Sequence, residues 1–178
     1  MNLKKHIIFF GYMALLISCS SPNLDVDNGV DIPTSNKPNI LLIIADDMGL
    51  DATPNYPEGS IKPNMPILQG LMNAGITFEN FWSYPVCSPT RASILTGKYG
   101  SKTGVLEVSD NISTTETSIQ KFINTNTGNA YASAIIGKWH LSLNASDPIT
   151  MGVDYFAGLL TGGLQDYNSW KLTENGIT

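Results

Sequence analysis

The sequence is short of cysteine, histidine and clustered positive charge, and each shortage removes a class of function. Its 178 residues contain two cysteines, Cys19 and Cys87, and two histidines, His6 and His140. These are too few and too widely spaced for a cysteine-based zinc site or a disulfide framework. Ten Lys and Arg face fifteen Asp and Glu, for a formal charge of −5. No basic cluster occurs beyond Lys4 and Lys5, so the electrostatic footprint of a nucleic-acid binder is missing and no nucleic-acid partner is expected. An anionic ligand would have to be held by a few local cations, not by the field of the whole chain. Nor is there an apolar run of roughly 18 residues, the least that reads as a spanning helix. What is present is a hydrophobic content of 42%, which suits one globular domain of ordinary size.

Lys4 and Lys5 precede the apolar run Ile7 to Ile17, the order of charge and hydrophobicity found in a secretory signal. Leu16-Ile17-Ser18-Cys19 resembles a bacterial lipobox, which implies cleavage before Cys19 and acylation of its thiol. The alternatives are an ordinary signal peptide with an incidental cysteine, or an uncleaved anchor. On the lipobox reading, residues 1–18 are a signal peptide, and His6 has no role in the mature chain. The protein is then exported, to the bacterial periplasm or as an outer-membrane lipoprotein, and meets the membrane through lipid on Cys19. Several acyl chains would anchor it stably, since each buried CH₂ contributes about 0.8 kcal/mol. Residues 19–37 are rich in Ser, Asn, Asp and Pro and read as a flexible tether that cannot bury a core. The folded part is expected over residues 38–178.

Asn39-Ile40-Leu41-Leu42-Ile43-Ile44-Ala45 is a continuous apolar run. Its composition predicts a strand buried on both faces, central and parallel in an α/β sheet. Asp46-Asp47 comes next, at the carboxyl end, where such sheets place ligand sites. If the chain turns there, both carboxylates can face one cation, and oxygen ligands suit Ca²⁺ or Mg²⁺. The plainer reading is that the two Asp residues end the strand and cap the next segment. Pro66 to Ala74 has the apolar stripe of a helix ending at Gly75, and residues 76–82 have strand composition.

Val86-Cys87-Ser88-Pro89-Thr90-Arg91-Ala92-Ser93-Ile94-Leu95-Thr96-Gly97 predicts a helix over 89–96. Ser88 suits the N-cap, Pro89 the first helical position and Gly97 the C-terminal stop. Cys87 then sits where free N–H groups and the positive end of the helix converge, a place for a tetrahedral anion. Arg91, four residues on, lies over the same face and adds a permanent planar cation. The bland alternative is a capped helix with a buried cysteine and a surface arginine. Residues 98–115 read as loop, 115–123 as a short helix and 130–137 as a strand of small residues. That strand runs into Gly137-Lys138-Trp139-His140-Leu141. An extended backbone would put Lys138 and His140 on one face and Trp139 on the other. Lys138 supplies a point charge for an anion, and His140 can exchange a proton with a reacting oxygen. Taken alone, His140 reads equally as a satisfied structural histidine. Residues 170–178 read as a strand, an Asn-Gly turn and a returning strand.

Three of these segments, in the same order, resemble the type I sulfatases. Cys87-Ser88-Pro89-Thr90-Arg91, with Leu95-Thr96-Gly97-Lys98-Tyr99 after it, fits that family's Cys-x-Pro-Ser/Thr-Arg signature. Pro38 to Asp47 resembles its opening strand and paired metal-binding Asp residues, and Gly137 to Leu141 its Lys-x-His segment. Gly152 to Gly158 resembles a further, structural landmark. The resemblance implies an α/β, alkaline-phosphatase-like sandwich with a central, largely parallel sheet, incomplete on its C-terminal side. It implies that Cys87 is oxidised to formylglycine by a formylglycine-generating or anaerobic sulfatase-maturating enzyme. It also implies that Asp46, Asp47 and residue 87 bind Ca²⁺, with Mg²⁺ as the alternative. Arg91 and Lys138 would then steady the sulfate and His140 the attacking hydroxyl, on an aryl sulfate or a sulfated carbohydrate.

Family members carry further metal ligands, a second Lys and a leaving-group His downstream, and no His comes after His140 here. The expectation is a fragment of a longer product or a truncated relative, unable by itself to hydrolyse an aryl sulfate. Two rival functions stay open at this point. One is a phosphonate or phosphate ester hydrolase using the same residues, the other a non-catalytic surface lipoprotein that keeps the pocket for ligand binding.

Overall fold

A computed structural model of the chain describes residues 37–178; Cys19, the signal peptide and nearly all of the tether lie outside the described residues. The chain divides at Ile43/Ile44. Residues 38–43, on the near side of that division, carry no regular secondary structure and are exposed.

Beyond it the order is α1 (Pro66–Ala74), α2 (Cys87–Thr96), α3 (Gly100–Thr103), α4 (Ile119–Thr127), β1 (Ala134–Lys138), α5 (Asp147–Thr150), β2 (Tyr155–Leu159) and β3 (Thr173–Glu174). The sheet has the order β1-β2-β3. β1 and β2 pair in parallel, from Ala134 opposite Tyr155 to Lys138 opposite Leu159, and β3 is antiparallel to β2. A parallel pair needs a crossover of a dozen or more residues. Residues 139–154, with α5 among them, supply it.

Two glycines set the spacing of this pair. Gly137 stands opposite Gly158 in the register and has φ +112, open to glycine alone. A Cβ on Gly158 would fall 1.7 Å from the carbonyl oxygen of Gly137. Position 158 therefore has no room for a side chain, whereas position 137 is restricted by its φ and not by space.

The core lies between α2 and the β1–β2 layer, where Ala92 and Leu95 join Trp139, Leu141, Met151 and Phe156. Phe156 is fully buried and meets Trp139 edge-to-face, with ring centroids 6.2 Å apart. Trp139 closes its polar valence by donating from Nε1 to Ser142 Oγ at 3.1 Å, as a buried indole requires. Ser118 caps α4 by accepting from the Lys121 N–H, and its own hydroxyl donates to the Met151 carbonyl at 2.6 Å. That bond ties the helix to the end of the crossover.

Several expectations need correction. Residues 39–45 are not in a ladder, and Ile40 to Ile43 are 57–84% exposed. An apolar run specifies a tendency to be buried, but strand identity belongs to a pair of segments, and this run has no partner in the sheet. Residues 76–82 also lack strand structure, and Ile76, Phe78, Phe81 and Trp82 are exposed. α4 starts four residues later than its propensity suggests, because Ser118 and not Thr115 is the cap. The stretch 98–115 contains α3 within its turns. The closing hairpin forms as expected, with Asn175 and Gly176 both at positive φ and Glu174 bridged to Ile177.

Candidate active site

Cys87 opens α2. Val86 is the N-cap, in extended conformation, and Gly97 ends the helix in the left-handed region at φ 67. The helix therefore begins two residues before the predicted start, and Ser88 is not its cap. Ser88 is instead fully buried, and its hydroxyl donates to the His140 carbonyl at 2.8 Å. The reason is tertiary: a hydroxyl at the first turn is worth more where it meets a buried carbonyl than where it meets a helix N–H that water can reach.

This bond holds the far side of the site in place. His140 has φ 52, left-handed for a non-glycine residue. The backbone from Lys138 to His140 is thus not the extended run the spacing suggested. Trp139 does turn away into the core, at 2% exposure. The left-handed turn swings the imidazole over the helix mouth, where His140 Nδ1 and Cys87 Sγ share a hydrogen bond at 3.0 Å. Segment 159–162 supports the turn. The Leu160 carbonyl accepts from the His140 N–H at 3.2 Å. Gly162 lies so close that a Cβ there would be 2.6 Å from His140 Cε1.

The cations converge on the same place. Arg91 Nη1 donates to the Lys138 carbonyl at 2.7 Å, and Nη2 lies 3.7 Å from Asp46 Oδ2. Lys138 Nζ donates to that same Oδ2 at 2.7 Å. The two basic side chains are 12–13% exposed, whereas the Asp46 side chain is 42% exposed. Two nearly buried positive charges share one carboxylate, which leaves one positive charge in excess. That surplus is the local attraction for an anion that the net charge of the chain cannot provide. The hydrogen bond from Lys138 holds the Asp46 carboxyl below its usual range, against a weaker opposing effect of burial; the charges of Lys138 and Arg91 add to the lowering. Burial, and then the charges of Lys138 and Arg91, push the His140 imidazole down. This favours the neutral imidazole, the form that can accept a proton.

Asp46, Cys87, Arg91, Lys138 and His140 are thus gathered by direct contacts. Asp47, with φ 53, is exposed and does not join them by any hydrogen bond or ion pair among the described residues. The carboxylates of Asp46 and Asp47 are hard oxygen donors of the type Ca²⁺ or Mg²⁺ takes. But Lys138 occupies Asp46, and among the described residues no three His, Cys, Asp or Glu side chains group to hold a metal. As placed, Asp46 is taken up by Lys138, and a divalent cation there would have to displace the ammonium. Sequence reasoning missed the roles of Ser88 and Gly162. The only signal was the Gly162-Gly163 pair, which marks close backbone approach but not what is approached.

The sulfatase family model matches residues 38–177. The chain belongs to the sulfatase family. It is 31% identical over 153 residues to the mouse steryl-sulfatase, covering 75% of this chain and 24% of that protein. It is 30% identical over 150 residues to mouse arylsulfatase J, covering 80% and 24% respectively. Among solved structures, the crystal structure of Ps i-CgsB is 31% identical, with a TM-score of 0.40, over 46% of this chain and 19% of that one. This sulfatase chain spans about a quarter of the length of the curated relatives it matches. Membership carries the α/β, alkaline-phosphatase-like fold class. The parallel β1–β2 pair and its crossover are a portion of that fold.

Proposed function

We propose that this sulfatase chain carries the nucleophile and sulfate-binding part of a sulfuric ester hydrolase, with formylglycine made from Cys87 by a maturation enzyme. The observation that carries the reading is the contact of Cys87 Sγ with His140 Nδ1 at 3.0 Å, beside Arg91 and Lys138. The free, half-buried thiol at the head of α2 fits such a residue. When present, the hydrated aldehyde would supply a hydroxyl whose oxygen bonds to sulfur as the S–O bond to the alcohol breaks, and a second hydroxyl whose deprotonation re-forms the aldehyde as the C–O bond to sulfate breaks.

The rest falls to the chain's own residues. Neutral His140 takes or steadies the proton of the group at position 87, at the distance general-base catalysis needs. Arg91 is fixed by the Lys138 carbonyl, so its guanidinium is pre-oriented and loses little freedom on meeting an anion. Released from Asp46, Lys138 can neutralise a sulfate oxygen as negative charge develops. The reading extends to Ca²⁺ or Mg²⁺ at Asp46 and Asp47, which requires Lys138 to leave the carboxylate. It also extends to export and to a lipid anchor on Cys19. No helix among the described residues is long and apolar enough to cross a membrane.

The test is to express the chain with a maturation enzyme, trap the aldehyde of the Cys87 peptide with a hydrazide, and identify it by mass. Matured material carrying this segment is then assayed on aryl sulfate and aryl phosphonate. Aldehyde at Cys87 with preferential sulfate release is the expected result. Unmodified Cys87 in matured material would overturn the reading, and preferential phosphonate turnover would reassign the ester.

A further inference from the structure

The loop that follows Asp46-Asp47 is closed by a lysine from its own far end. Lys62 Nζ donates to the carbonyls of Thr53 and Glu58 at 2.7 Å each, of Leu50 at 3.0 Å and of Asp51 at 3.2 Å. An ammonium has three N–H donors, so the oxygens outnumber the protons they share. The backbone brings these oxygens together. The Thr53 N–H closes a turn on the Leu50 carbonyl at 3.1 Å, and the Ala52 N–H closes one on Gly49 at 3.2 Å. Gly59, at φ +80, lets the chain return against that turn, where a Cβ would lie 2.5 Å from the Asp51 carbonyl oxygen. Backbone carbonyls that converge on one point can replace the hydration shell of a monovalent cation.

We propose that the carbonyls of Leu50, Asp51, Thr53 and Glu58 form a binding site for a primary ammonium ion, filled in this chain by its own Lys62. The site shares no residue with the Cys87–His140 cluster, and the proposal does not depend on the hydrolase reading. Its oxygens are all uncharged. Asp51 and Glu58 meet the ammonium through their carbonyls, and among the described residues Lys62 forms no ion pair with a carboxylate. A cage without carboxylates lacks the charge that draws a divalent ion out of water. A compact ammonium suits it, whereas the donors of a guanidinium fan out in a rigid plane and cannot gather four oxygens around one nitrogen. The loop also has anchors outside the cage. Asn55 Nδ2 donates to Asn73 Oδ1 on α1 at 2.7 Å, and the Tyr56 hydroxyl donates to the Phe78 carbonyl at 3.1 Å. Shortening Lys62 therefore empties the cage and leaves those ties in place. The atoms that Lys62→Ala removes are three carbons and the ammonium, which together are propylammonium.

The experiment is amide hydrogen exchange, read by NMR on the full chain. The amides of Ala52 and Thr53 report on the turn, and those of α2 and β1 are the internal reference. In Lys62→Ala the two loop amides should exchange about tenfold faster or more. Propylammonium should restore their protection saturably, while propan-1-ol and guanidinium at the same millimolar concentration should not. Lys62→Arg keeps the charge but not the shape and should exchange like Lys62→Ala. Lys62→Met keeps an unbranched stem without donors, and guards against a folding defect in the alanine variant. It should lose the same protection with the amides of α2 unchanged. Wild-type protection in Lys62→Met or Lys62→Arg, no restoration by propylammonium, or equal restoration by propan-1-ol would overturn the proposal.

Discussion

Lys138 Nζ sits on Asp46 Oδ2 at 2.7 Å, so the acid expected to hold a metal is already paired with the base expected to hold sulfate. Each is thereby withheld from its own ligand. A cation arriving at Asp46 must displace the ammonium, and the displaced ammonium becomes free for an anion.

Lys138→Met should therefore raise the Asp46 titration midpoint toward the usual carboxylate range and strengthen Ca²⁺ binding. Removing a unit charge a few ångströms away is worth on the order of tenfold or more in affinity at an effective dielectric near 20. Carboxylate ¹³C shifts and calorimetric Ca²⁺ titration measure the two effects. The lowered pKa sets the sign of the pH dependence. In the wild type, the Asp46 contribution is present above the ordinary carboxylate value and is lost as pH falls through the depressed folded value. In Lys138→Met that acid-side loss should shrink. Unchanged Ca²⁺ affinity would mean that Asp46 is not a metal ligand.

His140 should titrate below the ordinary imidazole range, because burial and two neighbouring cations oppose its charge. Between the depressed folded value and the ordinary unfolded one, the unfolded chain binds more protons. Stability should therefore fall as pH drops through that window. His140→Gln should flatten that slope in a series of melting temperatures. An imidazole midpoint at or above the ordinary range in wild type, read from its ring-proton shifts, would remove the assignment of neutral His140 as proton acceptor.

Ser88→Ala should destabilise the fold by about 1–2 kcal/mol, the cost of leaving the buried His140 carbonyl without its donor. Urea unfolding monitored by tryptophan fluorescence is the measurement. A cost below about 0.5 kcal/mol would indicate that the carbonyl finds another donor.

Phe156→Ala should cost about 3–5 kcal/mol, since the ring is fully buried against Trp139. Tyr155→Phe, on the adjacent exposed position, removes only the hydroxyl that donates to Glu174 Oε1 and should stay within about 0.5 kcal/mol of wild type. Similar losses in both would mean that the alternation of β2 is misassigned.

How legible each feature is in the sequence depends on how local it is. The helix at Cys87, its stop at Gly97, α1 and the Asn-Gly hairpin are set by residues within a turn of one another, and reading along the chain finds them. Cys87, Arg91, Lys138, His140 and Asp46 all read as site residues from their motifs, and the chain does bring these five together. What spacing could not supply was the route. Lys138 and His140 reach the cluster through a left-handed residue and not an extended strand, because Ser88 and Leu160 hold that turn from distant parts of the chain. The run Asn39 to Ala45 is the opposite case. Its composition is clear, but strand pairing depends on a second segment that composition does not specify.

The contact between Gly137 and Gly158 has a genetic consequence. A side chain at position 158 would collide with backbone atoms, not with another side chain. No compensating replacement at position 137 can make room, since glycine is already the smallest residue. Substitutions at 158 should therefore lack second-site suppressors in the facing strand. A library randomised at both positions and selected for a folded product should return glycine at 158 whatever stands at 137.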